Sequence, residues 1–336
     1  MRLCRFVNVS MAQELELAGY YREEGVVPAT LAWEMCAERE NPDLPPLVSE
    51  NLLDLLPPRG ALWREARDVA AWLEREWEEV GEKLIVPWEE VELLAPIPAP
   101  GKILLLAGNY AKHIQERGGV AAEREQTFPY VFMKPLTTLN VPFGAVVLPK
   151  ISPDRIDWEC ELGVVIGRRC RHVSEEQALE YVAGYTVIND ISDRGFQPNP
   201  GRKPRERDKF FDWMHGKWHD TFLPVGPCVL SSDAVDDPQT FRLRLEVNGE
   251  VKQNADTGQM VFPVAAVIAF LSEMVTLEPG DLIATGTPAG VGHASNVFLR
   301  SGDTVVARIE GIGDLENPVV SELEWESENE PEPESD

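Results

Sequence analysis

The amino-acid sequence predicts an α+β protein that is mostly β, with a small α/β domain at its N-terminus. After residue 102 the chain is dominated by short apolar runs separated by turn residues, which is typical of strands. Before residue 95 it contains longer acidic stretches in which the apolar residues keep helical spacing. Because the strands do not alternate regularly with helices, we do not expect a doubly wound parallel sheet.

Changes in composition predict the domain boundaries. Residues 1–95 are the small N-terminal domain, in which the segment 62–84 repeats apolar residues at helical spacing and is expected to be helical. Residues 96–102 contain three prolines and a glycine, which predicts a linker. Residues 103–320 then form a second, larger domain. Residues 321–336 are acidic and contain two prolines, so we expect a disordered tail there.

Within the larger domain, short apolar runs predict a series of strands. They lie at 103–108, 130–134, 160–167, 184–190, 241–250, 281–287 and 303–313. The run from 241 alternates apolar and charged residues and ends in Asn248-Gly249, a dipeptide that favours a two-residue hairpin turn. A second strand is therefore expected directly after this turn.

Two helices are expected between these strands. Ser174 is followed three residues later by Gln177, a capping box that predicts a helix over 174–184. The apolar run 261–271 is too short to cross a membrane and predicts a buried helix.

The net charge restricts the partners of the protein. The 336 residues include 57 acidic and 31 basic side chains, which gives a formal net charge of -26. Such a field repels nucleic acids and anionic membranes, so neither is expected as a partner.

The first residues lack the apolar segment of a secretory signal, and the five cysteines show no CxxC spacing. These features predict a cytoplasmic protein with free thiols.

Two glutamates, Glu159 and Glu161, lie at the start of an otherwise apolar strand. Because strand side chains alternate, both carboxylates point to the same side, about 7 Å apart along the chain. Asp190 ends another apolar run. A solvated acidic edge would explain one such pair, but carboxylates that meet in a core need a cation to neutralise them. The three acids therefore predict a site for Mg²⁺, Mn²⁺ or Ca²⁺, and the lack of a nearby histidine disfavours zinc.

Several motifs, in the same order along the chain, are similar to those of one family. They are GNYAKHIQE (108–116), FMKP (132–135), ECELG (159–163), NDISDR (189–194), GKWHDTFLPVGP (216–227), NGEVKQNADTGQMVF (248–262) and TGTPAGVG (285–292). Together they resemble the fumarylacetoacetate hydrolase family over about residues 100–315. Each motif alone is weak, but their shared order is specific.

The resemblance implies a mixed β-sandwich roll, usually dimeric, that holds Mg²⁺ or Mn²⁺ through Glu159, Glu161 and Asp190. It implies a hydrolase that cleaves a carbon–carbon bond in a small anionic 2,4-dioxo acid of the acylpyruvate or fumarylacetoacetate type. The alternatives are a 2-hydroxymuconate-type isomerase or an oxaloacetate-type decarboxylase of aromatic catabolism. A catalytically silent protein that binds a metabolite or serves as a scaffold is a hypothesis of another class.

His113 and Glu116 are three residues apart, so on a helical turn Glu116 can orient the imidazole. A lone pair of this kind is usually a surface salt bridge. Within the family motif it is expected to be a general base that activates water. The pair favours a hydrolase or decarboxylase, because an isomerase needs no attacking water. By the same resemblance Lys217 lies near the metal and holds the developing enolate or a substrate oxygen.

Four further residues are expected to bind substrate. Thr287 lies in a glycine-rich turn whose N–H groups and hydroxyl suit a carboxylate. Arg194 and Gln197 match family positions near the substrate, and Lys134 is a weaker candidate.

The sequence leaves open the roles of His215, His219 and the segment 198–213. Either histidine is expected to pack in the core or to alter substrate choice. The segment is basic, and it is either a solvated loop or a border of the pocket that attracts an acidic substrate.

Overall fold

The computed structural model describes residues 1–13, 15–116, 118 and 124–328. The strands are β1 Arg2–Asn8, β2 Glu16–Tyr21, β3 Gly25–Pro28, β4 Val86–Pro87, β5 Val91–Leu94, β6 Ile103–Ala107, β7 Tyr130–Met133, β8 Leu139–Asn140, β9 Val146–Leu148, β10 Ile156–Asp157, β11 Cys160–Ile166, β12 Val182–Asn189, β13 Ser192–Asp193, β14 Leu223–Ser231, β15 Arg242–Val247, β16 Glu250–Asp256, β17 Leu282–Ala284, β18 Thr304–Ile309 and β19 Gly313–Ser321. The helices are α1 Ala29–Arg39, α2 Leu52–Leu55, α3 Trp63–Arg75, α4 Trp77–Leu84, α5 Ala111–Glu116, α6 Glu175–Ala178, α7 Asp208–His215, α8 Val264–Met274, α9 Gly292–Ser295 and α10 Glu322–Glu328.

Most of these strands form one large mixed sheet. In the described residues it has twelve strands, in the order β4-β3-β2-β1-β14-β12-β11-β17-β6-β7, with β5 beside β1 and β8 beside β14. A five-stranded sheet runs β16-β15-β18-β19-β9, and β10 pairs with β13. The expected α+β class is confirmed, and the sheets make the site-bearing part a layered mixed β structure.

The central strand β11 is buried on both faces. Its side chains alternate between two apolar clusters, as the period of a strand requires. Leu162 and Val164 belong to the cluster shared with the five-stranded sheet, through residues such as Leu243. Val165 belongs to the other cluster, which contains N-terminal helix residues such as Val69. The large sheet is therefore covered on one face by the small sheet and on the other by helices.

The large sheet continues across the boundary expected near residue 95. Leu3 of β1 pairs with Val229 of β14, so the N-terminal strands extend the sheet of the larger domain. The division at 96–102 stays a prediction based on composition. Structurally, the first 95 residues share both a sheet and an apolar cluster with the rest.

Three sequence expectations differ from the structure. The segment 62–84 is two helices, which separate at Glu76. The helix expected over 174–184 has one α-helical turn, because Val182 already pairs with Ile166 in the sheet, and sheet pairing outweighs local propensity. In the segment expected to be a disordered tail, Ser321 ends β19 and residues 322–328 are helical, while residues 329–336 lie outside the described residues.

Other expectations are confirmed. The hairpin forms between β15 and β16, with positive φ angles of 52° at Asn248 and 79° at Gly249, as a turn of this type requires. The buried helix is α8. All five cysteines are buried free thiols. In the described part of the chain, no helix has the length and apolar character needed to cross a membrane.

Candidate active site

The pairing of β11 with β12 brings two acids together. Cys160 lies opposite Asn189 in this antiparallel pair, so the residues just outside it, Glu159 and Asp190, also face each other. The Asp190 N–H donates to the Glu159 carbonyl oxygen at 2.9 Å, and the Glu159 N–H donates to the Asn189 side-chain oxygen at 3.0 Å. The register therefore fixes the backbone from which both carboxylates extend.

Glu161 completes a buried acidic triad. Ligand oxygens of Glu159, Glu161 and Asp190 all lie within 4.8 Å of one another. Side chains of Cys160 and Leu162 face the apolar cluster on the other side of the sheet, as the alternation predicted. Three clustered carboxylates are the donor set that a hard divalent cation prefers.

The pKa values of two triad members shift in opposite directions. Burial, and then the nearby Asp190 and Glu159 carboxylates, raise the pKa of Glu161 well above its usual range. Burial would also raise the pKa of Glu159, but Arg194 and Lys217 outweigh it and lower that pKa. A divalent cation would relieve the repulsion at Glu161, so the residues present fit such an ion.

Two buried lysines contact the triad. Lys217 Nζ donates to Glu159 at 2.6 Å and also to Asp190. Lys134 Nζ donates to Asp190 at 2.8 Å and to the carbonyl oxygens of Ile191 and Phe222 at 3.0 and 2.6 Å. Burial lowers the pKa of Lys134 to about 8 despite this contact. The Lys134 amine is fully buried against protein oxygens, where it holds Asp190, and its expected contact with substrate stays a prediction.

Arg194 lies between the triad and another buried acid. Its guanidinium donates to Asp157 at 2.9 Å and to Glu159. If every group is ionised, this cluster has one net negative charge. It then contains four carboxylates, of Asp157, Glu159, Glu161 and Asp190, and three cations, of Lys134, Arg194 and Lys217. A divalent cation would reverse that sign and attract an anionic substrate, despite the negative charge of the whole protein.

The glycine-rich segment 285–292 uses its backbone to hold acids of the site. Gly286 N–H donates to Glu161 at 2.7 Å, Gly290 N–H to Glu116 at 3.1 Å, and Gly292 N–H to Asp157 at 2.6 Å.

Gly286 also has a positive φ of 90°, and a Cβ there would lie 2.8 Å from the Asn109 Cβ. Only glycine fits this close approach without movement.

His113 lies on the short helix α5, directly after β6 and Gly108. Its Nδ1 is 3.6 Å from the Glu116 carboxylate, as the spacing of three residues predicted. Burial raises the pKa of Glu116, and the Gly290 N–H partly opposes this effect. The imidazole itself is buried.

A small cavity joins these groups. Its volume is about 20 Å³, and its walls include His113, Glu159, Glu161, Lys217 and Thr287. It shares wall residues with a larger cavity of about 590 Å³, including His113 and Trp213.

The other predicted substrate-binding residues, Thr287 and Gln197, line two different cavities. Thr287 lines the small cavity, but its hydroxyl donates to the Cys160 carbonyl oxygen at 3.0 Å and accepts from Gln253 at 2.8 Å. Gln197 is exposed and lines a separate cavity of about 330 Å³, together with Arg194.

Both histidines left open by the sequence lie among aromatic rings. His215 lies 5.0 Å from the Trp218 ring, and His219 lies 5.0 Å from the Phe222 ring. His219 Nε2 is also 3.4 Å from a buried carboxylate oxygen of Asp193. The end of the basic segment 198–213 lies in α7 and borders the large cavity.

Sequence reasoning missed several supporting residues. Asn109 donates to the carbonyl oxygens of Phe262 and Thr285, and so joins three segments. Asn189 holds the Glu159 backbone. Both lie inside quoted motifs, so a search for buried amides could have found them. Trp213 lies outside those motifs, and its place in the cavity depends on tertiary packing.

The fold and the acidic triad define a candidate metalloenzyme, and comparisons with known proteins identify its family. The chain matches the family model described as fumarylacetoacetate (FAA) hydrolase C-terminal over residues 102–320. The chain therefore belongs to the fumarylacetoacetate hydrolase family, as the motifs predicted.

Curated relatives carry different activities. The chain is 38% identical over 238 residues to the rat (Rattus norvegicus) oxaloacetate tautomerase Fahd2a, mitochondrial, covering 70% of this chain and 72% of the relative. It is 44% identical over 222 residues to the 2,4-didehydro-3-deoxy-L-rhamnonate hydrolase of Sphingomonas sp. (strain SKA58), covering 65% and 73%.

Solved structures show the same fold over nearly the whole chain. Maleylpyruvate hydrolase from Sphingobium sp. SYK-6, in complex with manganese(II) ion and pyruvate, aligns with a TM-score of 0.67 and 28% identity, covering 96% of this chain and 99% of that chain. The 5-carboxymethyl-2-hydroxymuconate delta-isomerase from Mycobacterium smegmatis aligns with a TM-score of 0.66 and 30% identity, covering 96% and 100%.

Proposed function

We propose that the chain is a Mg²⁺- or Mn²⁺-dependent hydrolase that cleaves the C3–C4 bond of a small 2,4-dioxo acid. The observation that carries the proposal is the cavity in which His113 meets two members of the acidic triad, Glu159 and Glu161. Family relatives that act as hydrolases support it, and so does a relative solved with manganese and pyruvate, since pyruvate is the product of this cleavage.

Glu159, Glu161 and Asp190 would hold the metal ion. Bound there, the ion supplies Lewis-acid stabilisation for negative charge on the 2-oxo group and carboxylate of the substrate. Lys217 lies against two of the three ligands and lines the same cavity, so its ammonium stabilises charge that develops on a substrate oxygen.

His113 acts as the general base, oriented by Glu116. It removes a proton from water, whose oxygen bonds to C4. The C3–C4 bond then breaks, and its electron pair stays on C3 as the enolate of pyruvate. The proton returns from the imidazolium to C3, so the products are pyruvate and a carboxylic acid.

A second candidate function is keto–enol tautomerisation of an oxaloacetate-type acid. Relatives that are 38–40% identical and named oxaloacetate tautomerases support it. This reaction moves a proton and breaks no carbon–carbon bond. Isomerisation of a muconate-type acid or decarboxylation of oxaloacetate would use the same metal site.

The test is an assay for pyruvate release from acetylpyruvate, with Mg²⁺, Mn²⁺ or EDTA. Oxaloacetate and 5-carboxymethyl-2-hydroxymuconate serve as alternative substrates. We expect loss of the diketo absorbance with release of one pyruvate, abolished by EDTA and by Glu159→Ala. The matched control is Glu250→Ala, which removes an exposed carboxylate on β16. Turnover of oxaloacetate or the muconate alone would refute hydrolysis and assign the protein to another branch of the family.

We also propose that two copies of the chain form a homodimer. Strand β7 ends the described sheet order, and Met133 on it is 48% exposed. Met274 lines a groove beside β7 and is 54% exposed. Large apolar side chains grouped at a sheet edge are unfavourable in water, and a second copy would cover them.

A further inference from the structure

The large cavity beside His113 exceeds the needs of a small acyl group. Its volume of about 590 Å³ falls in the range that holds ligands of drug size. An acetyl group would fill only a minor part of it. The cavity touches the catalytic cavity through His113, Leu106 and Trp213.

The walls of this cavity are mainly apolar. Five aromatic residues line it: Phe128, Tyr130, Phe210, Trp213 and Phe262. Among the described lining residues, Lys209 is the one with a permanently charged side chain, and it is exposed to solvent at the rim. Such walls gain free energy by burying apolar surface and offer little to compensate a buried charge.

Trp213 forms the junction between the two cavities. It lies on α7, where its ring is 5.0 Å from the Phe132 ring in an edge-on arrangement and 5.9 Å from the Phe210 ring. It lines both the small acidic cavity and the large apolar one. Trp213 therefore lies where a substrate anchored at the triad would extend into the large cavity.

We propose that the large cavity binds the acyl group attached to C4 of the substrate. The preferred substrates are 2,4-dioxo acids with a bulky uncharged acyl group, alkyl or aromatic, of about six or more carbons. Trp213 is the residue that determines this specificity. The inference rests on the proposed hydrolysis, because attack at C4 beside His113 places the acyl group on the side of this cavity.

The experiment that tests this proposal measures the binding of substrate before its turnover. Manganese-loaded His113→Ala protein is titrated calorimetrically with acetylpyruvate, hexanoylpyruvate and benzoylpyruvate, and with an analogue of hexanoylpyruvate that ends in a carboxylate. We expect the hexanoyl and benzoyl acids to bind at least about tenfold more tightly than acetylpyruvate. The carboxylate-ended analogue is expected to bind at least about tenfold more weakly than its uncharged match.

The kcat/KM values of the wild-type protein for the same acids separate the two proposals. The expected binding order without pyruvate release would refute hydrolysis and keep the assignment of the cavity. Hydrolysis with equal values for the acetyl and hexanoyl acids, or with the charged analogue preferred, would overturn the cavity assignment alone.

Variants of two tryptophans test the role of Trp213. Trp213→Ala is expected to lower the ratio of hexanoyl to acetyl kcat/KM by at least about fivefold. Trp218→Ala is the matched control, since this tryptophan is 40% exposed and its indole donates to the Met133 carbonyl oxygen. If Trp213→Ala does not fold, Trp213→Phe is expected to change the ratio in the same direction by less. An unchanged ratio in the folded Trp213 variant would overturn the assignment.

Discussion

At the scale of single residues, Asp157 shows how the site stabilises a buried charge. It is fully buried and accepts four hydrogen bonds, from Arg194 and from the backbone N–H groups of Trp158, Gly292 and His293. These donors offset the cost of removing a carboxylate from water. Asp157 thus fixes Arg194, which in turn contacts Glu159.

His113→Ala tests the general base. We expect the rate of hydrolysis to fall by a factor on the order of 10²–10⁴, because water loses its proton acceptor. Manganese binding is expected to persist, since the triad is unchanged. His172→Ala is the control, because this histidine is 58% exposed and pairs with Glu273 away from the site. Unchanged hydrolysis in His113→Ala would remove His113 from the mechanism.

The raised pKa of Glu161 predicts that metal affinity depends on pH. Burial and the neighbouring Asp190 and Glu159 carboxylates raise the pKa of Glu161 and so favour its protonated form in the metal-free protein. A bound cation displaces this proton, so Mn²⁺ affinity should rise with pH, by up to about tenfold per unit. Calorimetry in buffers with different ionisation enthalpies would count the released proton. Affinity that is constant from acid to neutral pH would contradict this assignment.

At the scale of structural elements, the acidic triad was predictable and the cavities were not. Strand alternation placed Glu159 and Glu161 on one side, and Asp190 at the end of a second buried run. Local sequence patterns are sufficient to predict the positions of these three acids. The walls of the large cavity come from segments far apart in sequence, such as those of Phe128 and Phe262, so only the folded chain shows them. Helix α6 is also shorter than its capping box predicted, because pairing of the following strand in the sheet outweighs local helix propensity.

Gly286→Ala tests the glycine-rich segment. The substitution combines a positive φ with a contact to the Asn109 Cβ, so it should destabilise the protein by roughly 1–3 kcal/mol. It should also weaken Mn²⁺ binding, since Gly286 N–H holds Glu161.

The matched control for this substitution is Gly311→Ala. Gly311 has a similar φ of 84°, but nothing lies within 4 Å of an added Cβ. Gly311→Ala therefore introduces the backbone strain of an alanine at positive φ without a steric contact. Urea denaturation and metal titration of both variants would separate the two causes. Equal metal affinity in both would show that the contact at residue 286 has no effect on the triad.

At the scale of the whole molecule, a net charge of -26 coexists with a site that we propose binds an anionic substrate. The two are compatible because buried lysines and an arginine, together with a divalent cation, set the local sign. The expected cytoplasmic location stays a prediction, since several family relatives are named as mitochondrial.

The proposed dimer predicts a change of mass on substitution at the sheet edge. Met133→Glu combined with Met274→Glu should convert a particle of twice the chain mass into a monomer, because two buried charges would oppose the interface. Val48→Glu is the control, since Val48 is 79% exposed in the N-terminal region. Light scattering after size exclusion measures the mass. A monomeric wild-type protein would refute the dimer.

The hydrogen bonds from segment 285–292 have a consequence for how this enzyme can diversify. Its donors are main-chain N–H groups, which every residue except proline carries. At Gly290 and Gly292, however, an added Cβ would lie 2.0 Å from the carbonyl oxygens of Lys252 and Val297, so a side chain there would move the donor. Inserting or deleting one residue would likewise misalign all three acids together. New substrates are then most readily acquired through the walls of the large cavity, while the length of this segment stays constant.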